Sequence, residues 1–180
     1  MTYKVVGENF KEELLPNDPL YLAFPNNLPD GKTGIKYKDK AIMELKSKDD
    51  DPREGKIEIA FINPKTKLPE KSDVIFRFSF IKDEVWQEES DKTSKFQTHL
   101  SKNSGISFVR GGREIDFGNF GYFVSYDLTD RYWGCEIRFS PILDSIFGVS
   151  NDKQGVRNVG PLSKSISCLL YTSDAADDDH

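Results

Sequence analysis

Apolar and polar residues alternate with a period of two along three stretches of the chain, the signature of strands that bury one face. Over residues 56–62, Ile57, Ile59 and Phe61 alternate with Glu58 and Ala60. Over residues 74–81, Val74, Phe76, Phe78 and Phe80 fall on one face and Ile75, Arg77, Ser79 and Ile81 on the other; both faces carry apolar residues, which predicts a central strand. Over residues 131–139, Trp133, Cys135, Ile137 and Phe139 point inward, opposite Tyr132, Gly134, Glu136 and Arg138. Shorter extended pieces are predicted at 3–6, 10–15, 41–46, 106–110, 113–117 and 120–126. Gly111-Gly112 between two of them is a two-residue loop suited to a type I′ or II′ hairpin. Residues 47–55 (SKDDDPREG) read as a charged turn and residues 20–40, rich in Pro, Asn, Gly and Lys, as a loop.

The pattern changes to a short helix after residue 139. Ser140 stands as N-cap, Pro141 at the first helical position, Ile142, Leu143, Ile146 and Phe147 on one side, and Gly148 as the stop. Residues 149–156 (VSNDKQGV) form a polar loop, and 162–166 open a last helix. The long polar stretch 82–104 exceeds the ~12–15 residues usual for an unstructured loop, so it is functional, mobile or partly helical, with Trp86, Phe96 and Leu100 pinning it to the body. The whole predicts an α+β fold, one strand-rich domain over residues 1–166 with a mixed sheet and short packed helices.

A chain of 180 residues fits one domain that buries about 70% of its unfolded surface. No apolar run approaches the ~20 residues of a membrane span, and no secretory signal opens the sequence, so the expected compartment is the cytoplasm, with no membrane partner. Two cysteines, Cys135 and Cys168, make neither a disulfide framework nor a zinc spacing, and no metal site is expected. The run 168–178 (CLLYTSDAADD) resembles a translated sequencing adapter, which predicts that residues 167–180 are a disordered tail foreign to the fold. Without Asp174, Asp177, Asp178 and Asp179 the formal charge of −5 becomes −1, and the apparent acidity carries no message about partners.

Few residues offer chemistry. Asp30-Gly31-Lys32-Thr33-Gly34 contains the Gly-Lys-Thr of a phosphate-binding loop, but Asn26 stands where that motif requires its first glycine and no strand leads into it. Arg110 and Arg113 flank the Gly111-Gly112 loop and therefore face each other. Either both guanidinium groups splay into water or meet a carboxylate such as Glu114 or Asp116, or an external anion meets them, a phosphate or a partner's acidic residue. His99 reads as a solvated loop histidine, Trp133 and Cys135 as core, and Glu136 and Asp144 as carboxylates without an evident partner or catalytic role. Lys153, between Asn151-Asp152 and Gln154-Gly155, is on its own a surface lysine.

The blocks GISFVRGGRE (105–114), RYWGCEI (131–137), Leu143-Asp144 and FGVSNDKQ (147–154), in this order and spacing, resemble the C-terminal part of bacterial GHKL ATP-binding proteins, relatives of gyrase B, MutL, the MORC proteins and the large heat-shock chaperone. The resemblance implies a βαβ transducer-like domain whose loop sends a lysine to the γ-phosphate of ATP. By position Lys153 is that lysine and Gln154 a supporting contact, which gives Lys153 a catalytic and nucleotide-binding role. The family's Asn-x-x-Asp-Ala and Asp-x-Gly-x-Gly motifs are absent. The resemblance therefore implies that the ATP pocket, with its magnesium, belongs to a nucleotide domain preceding Met1, that the chain alone does not hydrolyse ATP, and that the whole protein works as a homodimer. A module binding nucleic acid or protein through Arg110 and Arg113 is the alternative.

Overall fold

The computed structural model describes residues 3–6, 11–15, 17–29, 31–45, 47–48, 51–52, 54–88, 95–122, 132–152 and 155–162. β1 (Tyr3–Val6) and β2 (Lys11–Leu14) pair antiparallel as a separate ribbon, and β4 (Ser47–Lys48) and β5 (Asp51–Pro52) form a second, minimal one. Among the described residues the main sheet holds six strands: β3 (Met43–Glu44), β6 (Glu54–Ile62), β7 (Pro69–Ile81), β8 (Ile106–Arg110), β9 (Arg113–Gly118) and β10 (Trp133–Phe139). β10 runs between β7, to which it is antiparallel, and β8, to which it is parallel. β9 closes one side against β8, and the other edge of β7 is shared by β6 and β3. The fold is α+β with a mixed sheet, and β7 is central, as its two apolar faces require.

Helices α1 (Lys32–Tyr37), α2 (Asp83–Glu88), α3 (Lys95–Lys102) and α4 (Asp144–Phe147) are all short. α2 and α3 connect β7 to β8, which run in opposite directions with β10 between them; the parallel neighbours β8 and β10 are linked through β9 and residues 119–132.

Period-two alternation places the core where the sequence puts it. Val74, Phe76, Phe78, Ile106, Phe108, Cys135, Ile137 and Phe139 share one sheet face, roofed by Leu143, Phe147, Val156 and Leu162. Each such Val, Ile, Leu or Phe side chain contributes roughly 1.5–3 kcal/mol on burial. A second cluster of Tyr21, Tyr37, Ile42, Met43, Ile81, Val85, Phe96 and Leu100 gathers the N-terminal segment and α1 to α3. The residues before it lie directly on β10: a Cβ added to Gly134 would stand 2.4 Å from the Pro19 carbonyl oxygen, so this strand position admits no side chain.

Several expectations need correction. Residues 20–40 are not all loop. Asn26 donates to the carbonyls of Tyr37 (2.7 Å) and Lys40 (2.8 Å) and closes the segment around α1. Among its described residues, 41–45, the strand expected over 41–46 keeps Met43–Glu44 alone in its ladder. The charged turn 47–55 contains β4, β5 and the start of β6. The stretch 82–104 is partly helical, held by Val85, Phe96 and Leu100, while Trp86 stays 52% exposed with its ring edge-on to Tyr132. Ser140 caps through its backbone alone: it makes no side-chain cap bond, its carbonyl accepts from the Leu143 amide at 3.0 Å, and the first turn, Pro141–Leu143, is 3₁₀. Gly148 ends α4 in the left-handed conformation, as expected. Leu162 lies in a 3₁₀ turn, Gly160–Leu162. Residues 123–126 of the expected further strand, 163–166 of the expected last helix, and the tail 167–180 lie outside the described residues.

Candidate functional site

The β8–β9 hairpin turns at Gly111 (φ 56°) and Gly112 (φ 86°), both in the positive-φ region that a type I′ loop requires of its two central residues. Its register sets Arg110 opposite Arg113. The carboxylate that meets Arg110 comes from α4, 34 residues on: Nε donates to Asp144 Oδ1 and Nη2 to Asp144 Oδ2, both at 2.6 Å. This is a bidentate fork-to-carboxylate pair, the strong form of such a contact, and it fastens the start of α4 to the end of β8. The Arg110 side chain is only 15% exposed, whereas Arg113 is exposed at the hairpin tip.

A β-bulge interrupts the same hairpin. Val109 faces Glu114 and Phe108 faces Asp116, so Ile115 is an extra residue on β9. Such an insertion re-aims the side chains beyond it. Glu114 lies on the outer face, where it accepts a hydrogen bond from the Ser107 hydroxyl, while Asp116 turns to the side of α4. There Asp116 Oδ1 accepts from the Phe117 amide at 2.9 Å and Oδ2 from the Val156 amide at 2.8 Å.

These contacts frame the loop after α4. On the outgoing side the Val149 amide donates to the Asp144 carbonyl at 2.9 Å, and on the return side Val156 is held by Asp116. Beyond it, the Arg157 and Asn158 amides both donate to the Phe147 carbonyl, at 3.1 and 3.0 Å. Asn151 and Asp152 are exposed, and the Ser150 hydroxyl donates to the Asp152 carboxylate. Lys153 and Gln154 lie outside the described residues.

The outer face of β7, β8 and β10 carries an open groove of about 540 Å³, lined among others by Asp73, Ile75, Val109, Glu114, Glu136 and Arg138. Glu136 is not a lone carboxylate. It accepts from Arg77 Nη1 at 3.2 Å and from Arg138 Nε at 2.5 Å, and only 13% of its side chain is exposed. The groove's central charge is thus compensated from within. Among the described residues no group of three or more His, Cys, Asp or Glu side chains is arranged to hold a metal ion.

The remaining candidates are structural. His99 is half-buried; Asn103 Nδ2 lies 3.4 Å from its Nε2 and donates to the Tyr21 hydroxyl at 2.7 Å. Burial first, and the Lys102 charge second, lower the His99 pKa. Cys135 is fully buried, and burial, with Glu136 adding to it, pushes its thiol up and keeps it protonated. Gly31 does precede a helix, but α1 has six residues, and Asn26 serves as the buckle described above.

No family model matches this chain, and no curated protein or solved structure matches it. No helix among the described residues is long and apolar enough to cross a membrane. Pattern reading offered Glu114 or Asp116 to Arg110 and left Asp144 without a partner; Arg110 pairs with Asp144 and Asp116 holds the Val156 amide instead, partners that stand 34 and 40 residues away.

Proposed function

We propose that this chain is the transducer-like part of a cytoplasmic, homodimeric GHKL-type ATPase, in which Lys153 reads the γ-phosphate of ATP and Gln154 supports it. The observation that carries the reading is the double tether of loop 149–156. Both of its stems are tied to one hairpin, through Asp144 to Arg110 and through Val156 to Asp116, and the loop has the FGVSNDKQ sequence that the resemblance turns on. A loop fixed at both ends can carry a lysine to a set point while leaving its ammonium free to respond to charge. Magnesium and the nucleotide pocket would come from a separate nucleotide domain, consistent with the absence of that domain's motifs here.

In this role the lysine stabilises charge on the transferred phosphoryl group and distinguishes ATP from ADP. The binding-module reading is not taken up: of its two arginines Arg110 has its fork filled by Asp144, which leaves Arg113 alone at the hairpin tip. The test is ATP turnover by the protein that includes the nucleotide domain. Lys153→Ala should lower kcat by about 10²–10³, the usual effect of removing one preorganised donor. Turnover equal to the wild type would remove Lys153 from the mechanism and end this reading.

A further inference from the structure

We propose that the outer edge of β6 is a self-association surface, on which a second copy of this chain adds its own β6 antiparallel across a two-fold axis and joins the two main sheets into one. This surface is independent of the ATPase reading.

The pairing of β6 with β7 fixes which backbone groups remain for a partner. Ile62 stands opposite Pro69, which has no amide hydrogen, so this is a non-hydrogen-bonded pair, and the Asn63 amide donates to the Leu68 carbonyl at 2.9 Å one step beyond it. Alternation then points the amides and carbonyls of Ile57, Ile59 and Phe61 at β7, and those of Lys56, Glu58, Ala60 and Ile62 away from it. Among the described residues no strand pairs with that outer edge, and no backbone hydrogen bond reaches those four residues.

Edge strands commonly carry devices against such pairing: a proline, a bulge, an uncompensated charge or very short length. β6 has nine residues, no proline and an unbroken register with β7. Its charges between Lys56 and Ile62 are matched within the chain, Lys56 by Asp73 at 2.7 Å and Glu58 by Lys71 at 2.6 Å. A partner strand therefore meets an edge close to neutral.

Residues 56–62 are also complementary to themselves. With Ile59 on the two-fold axis, it meets the partner's Ile59, and Ile57 meets the partner's Phe61. All of these lie on the core face, where Ile57 and Ile59 are only half-buried in the single chain. They are non-hydrogen-bonded positions, at which opposed side chains stand closest. On the outer face Glu58 meets the partner's Ala60, and the stem of Lys56 covers the partner's Ile62, which is 61% exposed in the single chain. Moving the axis to Glu58 would oppose two like charges, and moving it to Ile57 would set Ile59 against Gly55.

Sedimentation velocity on the whole chain over a concentration series tests the surface. A contact of two strands lies at the small end of specific interfaces, so monomer should give way to dimer as concentration rises. Ala60→Pro removes an outward amide that β7 does not use, and edge strands tolerate such a proline. It should raise the Kd of the dimer about tenfold or more, because the two-fold axis makes the lost hydrogen bond count twice. Ala60→Glu faces the partner's Glu58 across the axis and Lys71 within its own chain, so it should weaken the dimer while keeping the wild-type circular dichroism; it decides the outcome if the proline variant does not fold. In a Cys168→Ser background, Ile59→Cys should form a disulfide-linked dimer on mild oxidation, since directly opposed non-hydrogen-bonded residues have Cα atoms about 4.5 Å apart. Ile57→Cys, opposite Phe61, should not. A chain that stays monomeric at every concentration, an unchanged Kd in a folded Ala60 variant, or a dimer that Ile59→Cys fails to cross-link would each overturn the proposal. ATP turnover decides the nucleotide reading separately.

Discussion

His99 couples the N-terminal segment to α3 in a way that depends on its proton. Asn103 Nδ2 points at the ring Nε2 and donates to the Tyr21 hydroxyl, while Asn103 Oδ1 accepts from Asn17 at 3.1 Å. That arrangement suits a neutral ring with an unprotonated Nε2; a proton there sets donor against donor. Burial and Lys102 lower the folded-state pKa below the ordinary 6.5. The unfolded chain then binds more protons than the folded one as the pH falls through about 6.5, so stability decreases with acidification over that window and the loss is complete below the folded pKa. The contribution is fully present at pH 8. Urea midpoints measured at pH 8 and pH 5.5 should fall more for the wild type than for His99→Gln, and parallel losses would show that His99 does not titrate in this way. Little of this was legible in the sequence, where His99 reads as solvated: Asn103 stands four residues on, beside it only once the segment is helical, and Tyr21 arrives from 78 residues away.

Strands were legible because a sheet with a buried face imposes its period on the sequence. β6, β7, β8, β9 and β10 all lie where alternation, or the glycine pair of the hairpin, puts them. Helices were less so. α1 is six residues with Thr33-Gly34 inside it, and α2 and α3 bury one and three of their described residues, too few to write a 3.6-residue period. α4 was found by its punctuation, but what docks it was not. The Arg110–Asp144 pair joins β8 to the first residue of α4 with both oxygens engaged, and a lysine ammonium cannot reproduce that fork. Arg110→Lys should therefore destabilise the fold by roughly 1.5–3 kcal/mol, the range for hydrogen bonds to charged groups, with α4 amides losing protection first. A denaturation midpoint unchanged from the wild type would mean that α4 is held by Leu143 and Phe147 alone.

At the scale of the molecule, one sheet serves two cores. The face bearing Phe76, Phe108 and Ile137 is roofed by α4 and the segment ending at Leu162, and the opposite face is covered at one end by the N-terminal segment and α1 to α3. The candidate loop springs from the roof and returns to the edge strand β9, so any shift of the hairpin relative to the roof is passed to it at two points. The sequence placed the loop, as a polar stretch after the Gly148 stop, while its anchorage, built from Asp116 and Arg110, lay in contacts that only the folded chain assembles. Cys135 sits at the middle of this arrangement, on β10 with a strand hydrogen-bonded on each side and a thiol kept protonated by burial. It is therefore a built-in clock. An alkylating reagent should label Cys135 only as fast as the sheet comes apart, so the labelling rate, followed on its own peptide against urea, should track global opening. Prompt labelling without urea would mean that β10 parts from its neighbours while the rest of the fold stays closed.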